Sequence, residues 1–184
     1  MKLWLDRVSS PIGTVLLVSD GRALRALDFE DHEARMRVLL RRYWGEVALS
    51  EERAPENISQ SLRDYFEGDL EATGRIAVET GGTDFQRRVW TELRKIPAGE
   101  TRQYGRLAAA IGAPRASRAV GLANGANPVA IVIPCHRVIG ADGSLTGYGG
   151  GLSRKAWLLR HEQSHERKVQ SAAGLSEAST VTST

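Results

Sequence analysis

Two short runs near the start, LWLDRV (3–8) and TVLLV (14–18), have the alternating or β-branched, leucine-rich content of strands, with the turn Ser10-Pro11-Ile12-Gly13 between them. Asp20-Gly21 supplies a hairpin turn into a third run, ALRALDF (23–29). The period then changes. In EARMRVLLRRYWG (33–45) apolar side chains recur at Ala34, Val38 and Leu39. ISQSLRDYFEG (58–68) repeats this with Ile58, Leu62 and Tyr65/Phe66 before a stop at Gly68, so both segments are predicted helices. RIAVE (75–79) reads as a short strand. This mixture predicts an α+β domain over residues 1–80, with its acidic residues spread over helix faces and loops and no catalytic grouping.

Thr80-Gly81-Gly82 marks a junction. Thr83-Asp84-Phe85-Gln86 then has capping-box form, and Phe85, Val89, Leu93 and Ile96 follow on one face of a helix that Pro97 ends. Two short helices come next, Tyr104–Ile111 with a stop at Gly112, and Pro114 to about Asn124. Such a pair joined by a tight glycine turn is the helix-turn-helix pattern. In the second helix Arg115, Arg118 and Leu122 share one face, with Ala119, Val120 and Ala123 on the other. An apolar run, Ile131-Val132-Ile133, predicts a buried strand, followed by a glycine-rich loop over 140–151. A last helix capped by Ser153 is expected to end near His161-Glu162. The Ser/Thr/Ala-rich remainder, 164–184, is expected to be a disordered tail, beyond a C-terminal domain spanning 83–163.

Charge sharpens this division. Residues 1–82 hold 11 Lys/Arg against 15 Asp/Glu, a net of −4, whereas residues 83–162 hold 12 against 5, a net of +7. The basic half points to a polyanionic partner. With 41% apolar and 26% charged residues the chain is of ordinary globular composition, and no apolar run is long enough to span a membrane. The start, MKLWLDRVSS, lacks the apolar stretch of a signal peptide. One cysteine among 184 residues excludes an internal disulfide and a zinc site built on several thiolates, and fits a reducing cytoplasm. His32, His136, His161 and His165 show no metal-ligand spacing, and no cofactor fingerprint is present, so neither metal nor cofactor is expected.

The single thiol, Cys135, lies in IVIPCHRVIG (131–140). It is either a small buried hydrophobe or a reactive group whose thiolate His136 and Arg137 stabilise. On a strand, adjacent residues face opposite sides, so His136 reaches Cys135 only through a turn or a bridging water.

PCHRVIG, preceded by NPVAIVI and followed by TGYGGGLSRKAWLLRHE, closely resembles the active-site region of the O6-alkylguanine-DNA alkyltransferases. FQRRVW, IPAGETRQYGRLAAAIG and SRAVGLANGANP fall in the family's order and spacing, so the resemblance covers residues 83–162 and is weak over 1–82. It implies an N-terminal ribonuclease-H-like α/β domain with an antiparallel sheet and a C-terminal winged helix-turn-helix domain. It implies that Cys135 takes the alkyl group of O6-alkylguanine, and of O4-alkylthymine, in one irreversible turnover, without a cofactor. It makes His136 the base acting through a water, Glu162 its orienter, Asn127 the brace of the turn, and Tyr104 a proton donor to the leaving guanine. Arg118 would fill the gap left by the flipped nucleotide, with Tyr104, Gly105, Ala113, Arg115 and Ala116 against DNA, and with Gly121 and Ala123 also small enough for close approach. Val138, Gly147, Tyr148 and Gly149 would form the base pocket. The partner implied is double-stranded DNA containing O6-alkylguanine, bound through the minor groove by a monomer, with no membrane.

Two other readings compete: a non-catalytic helix-turn-helix regulator or damage sensor, which has no need of the thiol, and a cysteine hydrolase using Cys135 and His136, which turns over repeatedly. Deleting residues 165–184 is expected to leave transfer intact.

Overall fold

The computed structural model describes the backbone of residues 1–178 and the side chains of residues 1–167. The three expected N-terminal strands are present as β1 (Lys2–Val8), β2 (Val15–Ser19) and β3 (Leu24–Phe29), paired antiparallel in sequence. A fourth strand that the sequence did not announce, β4 (Ala48–Glu51), adds to β1 in parallel, giving the order β3-β2-β1-β4. The parallel pairing follows from the crossover helix α1 (Glu33–Trp44), which returns the chain to the starting edge. β2 and β3 are buried along their whole length. One sheet face packs Leu3, Leu5, Leu16 and Val18 against Met36 and Leu40 of α1. The other faces α2 (Glu56–Glu67) and the C-terminal half, with Leu17, Leu27 and Phe29 in one core with Ile58, Leu62, Trp90 and Val120.

The expected strand over 75–79 is not formed: residues 72–75 make a 3-10 turn and only Val78 bridges to Leu24. Burial of Ile76 rather than strand pairing explains the apolar pattern.

The capping box forms as read. Thr83 Oγ1 accepts from Gln86 N at 3.2 Å, and Gln86 Oε1 accepts from Thr83 N at 2.9 Å, opening α3 (Asp84–Leu93). This helix ends before the expected stop, with Ile96 buried in the turn that follows. A two-residue strand, β5 (Arg102–Gln103), leads into the pair α4 (Tyr104–Ala110) and α5 (Ser117–Gly125), with Gly112 at φ 73° between them. α5 begins at Ser117, not Pro114, because residues 114 and 115 belong to the turn. Arg115, Arg118 and Leu122 are exposed as expected, but so is Ala119, leaving Val120 and Ala123 as the inward face.

Two corrections concern the site. Ile131-Val132-Ile133 is not a strand. It is a tightly turned, fully buried segment in which Ile131 adopts φ 68°, a left-handed conformation costly for a β-branched residue, of order 1–3 kcal/mol. The run is apolar because it is buried, not because it is extended. Its entry is sewn to the edge of β3: Leu27 N donates to Pro128 O and Ala130 N to Leu27 O, both at 2.9 Å. After a 3-10 turn at Cys135–Arg137, strand β6 (Val138–Ile139) pairs in parallel with β5.

The last helix, α6 (Leu152–Ala178), opens before Ser153, with Lys155 N bonded back to Gly151 O, and does not stop near Glu162. The chain is helical through Ala178, within the segment expected to be a disordered tail; residues 179–184 of that expectation lie outside the described residues. The run Glu166-Arg167-Lys168 and the alanines that follow suit a helix once the preceding turns nucleate it. Among the described residues no helix is long and apolar enough to cross a membrane.

Arg35 of α1 ties the two halves together. It pairs with the buried Asp28 at 2.5 Å and donates to Gly125 O and Asn127 O at 2.8 and 3.1 Å. Arg35→Ala leaves a buried carboxylate unpaired and should lower the unfolding free energy by about 3 kcal/mol in urea titrations. A change below about 1 kcal/mol would show that Asp28 finds its partners elsewhere.

Candidate active site

A 3-10 turn presents Cys135, His136 and Arg137 in different directions, which resolves the opposite-face problem of a strand. All three are buried, Cys135 being only 5% exposed. Asn127 braces the turn from the end of α5. Its amide donates to Ile133 O at 2.8 Å and to Cys135 Sγ at 3.1 Å, and its Oδ1 accepts from Val129 N at 2.9 Å. Burial raises the thiol pKa above its ordinary value, while the Asn127 hydrogen bond and the charges of Arg35 and Lys155 oppose the rise. At rest the group is a protected thiol, and making it a nucleophile requires a proton acceptor.

The neighbouring imidazole, His136, is bonded to Glu162. The carboxylate is fully buried and takes five hydrogen bonds. Oε1 accepts from His136 Nε2 and Tyr65 OH at 2.8 Å each, and from Arg137 Nη2 at 2.9 Å. Oε2 accepts from Arg137 Nε at 3.0 Å and Gly99 N at 3.1 Å. Burial alone would raise the Glu162 pKa, but His136 and Arg137 outweigh it and hold the group well below the carboxylate range. Tyr65 keeps its proton, its pKa raised by burial and by the Glu162 charge. An ionised carboxylate only accepts, so the Nε2 of His136 carries the imidazole proton. Nδ1 is left with its lone pair, buried and without a partner among the described residues. Burial lowers the His136 pKa, despite Glu162, and keeps the ring neutral. A neutral imidazole with an available Nδ1 lone pair has the chemistry of a proton acceptor.

The residues expected to surround a base lie close to His136 only in part. The Tyr148 ring stands edge-on to His136, centroids 6.4 Å apart, with its buried hydroxyl unpaired among the described residues. Val138 is buried and its carbonyl accepts from Lys155 Nζ at 2.6 Å; the same ammonium donates to Thr146 O at 2.6 Å. Gly147 is exposed, and a Cβ at Gly149 would meet the Arg35 guanidinium at 2.6 Å. A cavity of about 270 Å³ touches Pro134 and Arg137 but neither Cys135 nor Tyr148, so it is not the place of a bound base.

The structure thus joins Cys135, His136, Glu162 and Asn127 into one bonded group, with Tyr148 and Val138 beside it. Tyr104 stands apart, sharing a 3.3 Å hydrogen bond with Thr146 Oγ1 and lying 3.7 Å from where a Cβ on Gly121 would be. Arg115, Arg118 and Gly105 are exposed on the helix-turn-helix, with Ala113 and Ala116 half-buried in its turn. Arg137 does not serve the thiolate as expected from its position. It clamps Glu162 and donates to Ile96 O at 2.5 Å. Tyr65, Gly99 and Lys155 were missed. Nothing local marks them, although a lysine that is fully buried needs carbonyl partners such as those it finds here.

A buried thiol and a buried neutral histidine on a loop that follows a helix-turn-helix point to the class of DNA-binding proteins with a reactive cysteine. Comparison with known proteins agrees. Residues 84–164 match the model for the 6-O-methylguanine DNA methyltransferase DNA binding domain, and residues 7–80 its ribonuclease-like domain. The methylated-DNA–protein-cysteine methyltransferase of Salmonella typhimurium is 47% identical over 165 residues, covering 88% of this chain and 96% of its own. That of Methanosarcina barkeri is 45% identical over 166 residues, covering 90% and 100%. Among solved structures, Mycobacterium tuberculosis OGT in complex with DNA superposes with a TM-score of 0.74 at 43% identity, covering 88% of this chain and 94% of that one. The chain belongs to the 6-O-methylguanine DNA methyltransferase family.

The buried groups set an acid limit. His136 has a depressed pKa in the folded protein, so its contribution to stability is complete above the ordinary histidine value of 6.5 and is lost as pH falls below it. Glu162, also depressed, adds a further loss below the carboxylate range. Urea unfolding should therefore show stability level at neutral pH and declining below about 6.5. Constant stability into the carboxylate range would contradict a buried neutral imidazole.

Proposed function

We propose that this protein repairs alkylated DNA by moving the alkyl group from O6 of guanine to Cys135, once per chain. The observation that carries the reading is the free, buried Nδ1 of His136 beside a thiol that burial keeps protonated. A water takes the Cys135 proton and passes one to Nδ1, and Glu162 stabilises the imidazolium that results. The thiolate attacks the alkyl carbon. The S–C bond forms as the C–O6 bond breaks, and the electron pair stays on guanine. Tyr104 supplies a proton to the leaving base. The thioether formed is a poor leaving group, so the chain is consumed. O4-alkylthymine is a second substrate of the same chemistry.

The protein binds DNA through the half that carries α4 and α5. Because the target atom lies inside the duplex, the nucleotide is rotated out, and we assign Arg118 to the space it leaves. The small residues Gly105, Ala113 and Ala116 favour close approach through the minor groove by a single molecule. Val138, Gly147, Tyr148 and Gly149 surround the flipped base after the loop opens. A thiol that must stay reduced supports the cytoplasm as the place of work.

Intact-protein mass spectrometry after mixing with a duplex holding one O6-methylguanine tests the reading. A gain of one methylene on Cys135, capped at one per chain, is expected; tight DNA binding with no gain would favour a damage sensor or regulator, and repeated turnover a hydrolase. Arg118→Ala should slow repair of duplex DNA by about tenfold or more while leaving reaction with free O6-alkylguanine base unchanged. Equal losses in single-turnover rates would remove Arg118 from nucleotide flipping.

A further inference from the structure

Helix α6 carries Glu162 and then continues past the end of the family match at residue 164. The first turn of that continuation does not stand in solvent. It lies on two glycine turns that hold the other groups bonded to Glu162.

The first is the end of α2. Gly68 closes that helix in the left-handed region, at φ 114°, and a Cβ there would come 2.4 Å from His165 Cδ2. His165 Nδ1 pairs with His161 O at 2.9 Å, and the two rings are 4.5 Å apart. His161 Nε2 in turn pairs with Tyr65 O, the carbonyl near that helix end, at 2.8 Å. The hydroxyl of the same Tyr65 is the donor to Glu162 Oε1. The second is the turn at Gly99, φ 77°, whose N–H donates to Glu162 Oε2. A Cβ on Gly99 would come 2.8 Å from Glu166 Cγ. His161 and His165, and likewise Glu162 and Glu166, are one helical turn apart and share a face. One rigid element therefore presents the carboxylate and also covers the two turns whose donors reach it.

We infer that His165 and Glu166 are positioning residues for alkyl transfer. They hold the α2 end and the Gly99 turn against α6, so that Tyr65 OH and Gly99 N–H stay aimed at Glu162 and Glu162 keeps the His136 proton on Nε2. Glycine turns carry no side chain of their own to lock them, and the α6 continuation supplies the missing packing. The segment expected to be dispensable contributes to the chemistry through Glu162. The inference rests on the reading of Glu162 as the group that orients His136.

The test times single-turnover methyl transfer from an O6-methylguanine duplex, from about pH 6 to about pH 9, with DNA affinity measured alongside. Full-length His165→Ala/Glu166→Ala, Glu166→Gln and Glu162→Gln are compared with the parent chain. Since a small misplacement of a catalytic group costs one to two orders of magnitude, the double variant should transfer about tenfold more slowly at neutral pH. Its DNA affinity should be unchanged, and the deficit should shrink towards about pH 9, where hydroxide competes with the imidazole for the thiol proton. Glu166→Gln keeps the methylenes over Gly99 and should lose much less rate than the double variant. The inference is overturned if the double variant transfers at the parent rate, if its deficit is the same at every pH, or if Glu166→Gln is as slow as the double variant. A parent-like rate in Glu162→Gln would sink the assignment of Glu162 itself, a failure distinct from that of the brace.

Discussion

A carboxylate with no access to water must be surrounded by donors, and Glu162, carried on α6, finds them in three separate stretches of chain: the turn of His136 and Arg137, the hydroxyl of Tyr65 on α2, and the N–H of Gly99. Taking away one partner of such a buried ion strands a charge and costs about 3–5 kcal/mol, so these stretches are held in register by one side chain. The same constraint decides the chemistry. With Glu162 ionised, the histidine proton is fixed on Nε2, Nδ1 is left as an acceptor, and Arg137 is engaged by the carboxylate. Cys135 rests as a buried thiol because burial raises its pKa.

A second set of bonds places that thiol relative to DNA. The edge of β3 holds Pro128 and Ala130, Asn127 gathers Ile133 O and Cys135 Sγ, and Arg35 reaches from α1 to the end of α5. Arg115 and Arg118, exposed around the start of α5, are thereby a single helix away from Cys135, as the proposed transfer requires. The left-handed Ile131 is the local cost of the sharp turn, and it is sustained because the neighbouring apolar side chains are fully packed.

Much of the molecule was legible in the sequence where local chemistry decides structure. The three leading strands, the stop at Gly68 and the Thr83–Gln86 capping box depend on near neighbours and formed as read. β4 was not legible, because ALSE has no strand pattern of its own and is extended only by pairing with β1. Ile131–Ile133 was misread because an apolar run reports burial without reporting conformation. The helix beyond Glu162 was misread because a Ser/Thr/Ala-rich composition is compatible with helix once a neighbour nucleates it. In the site, the residues around PCHR were found through family resemblance. Tyr65, 97 positions from the carboxylate it bonds, and Gly99, which acts through its backbone, leave no local signal.

The central claim is that Glu162 fixes His136 as a neutral imidazole with its proton on Nε2 and its lone pair on Nδ1. Nitrogen-15 NMR of the resting, histidine-labelled protein at neutral pH tests it directly. The account predicts a protonated Nε2 and an unprotonated Nδ1 for His136, unchanged until the pH falls well below the ordinary histidine range. A proton on Nδ1, or a doubly protonated ring at neutral pH, would contradict it and remove the base from the proposed transfer.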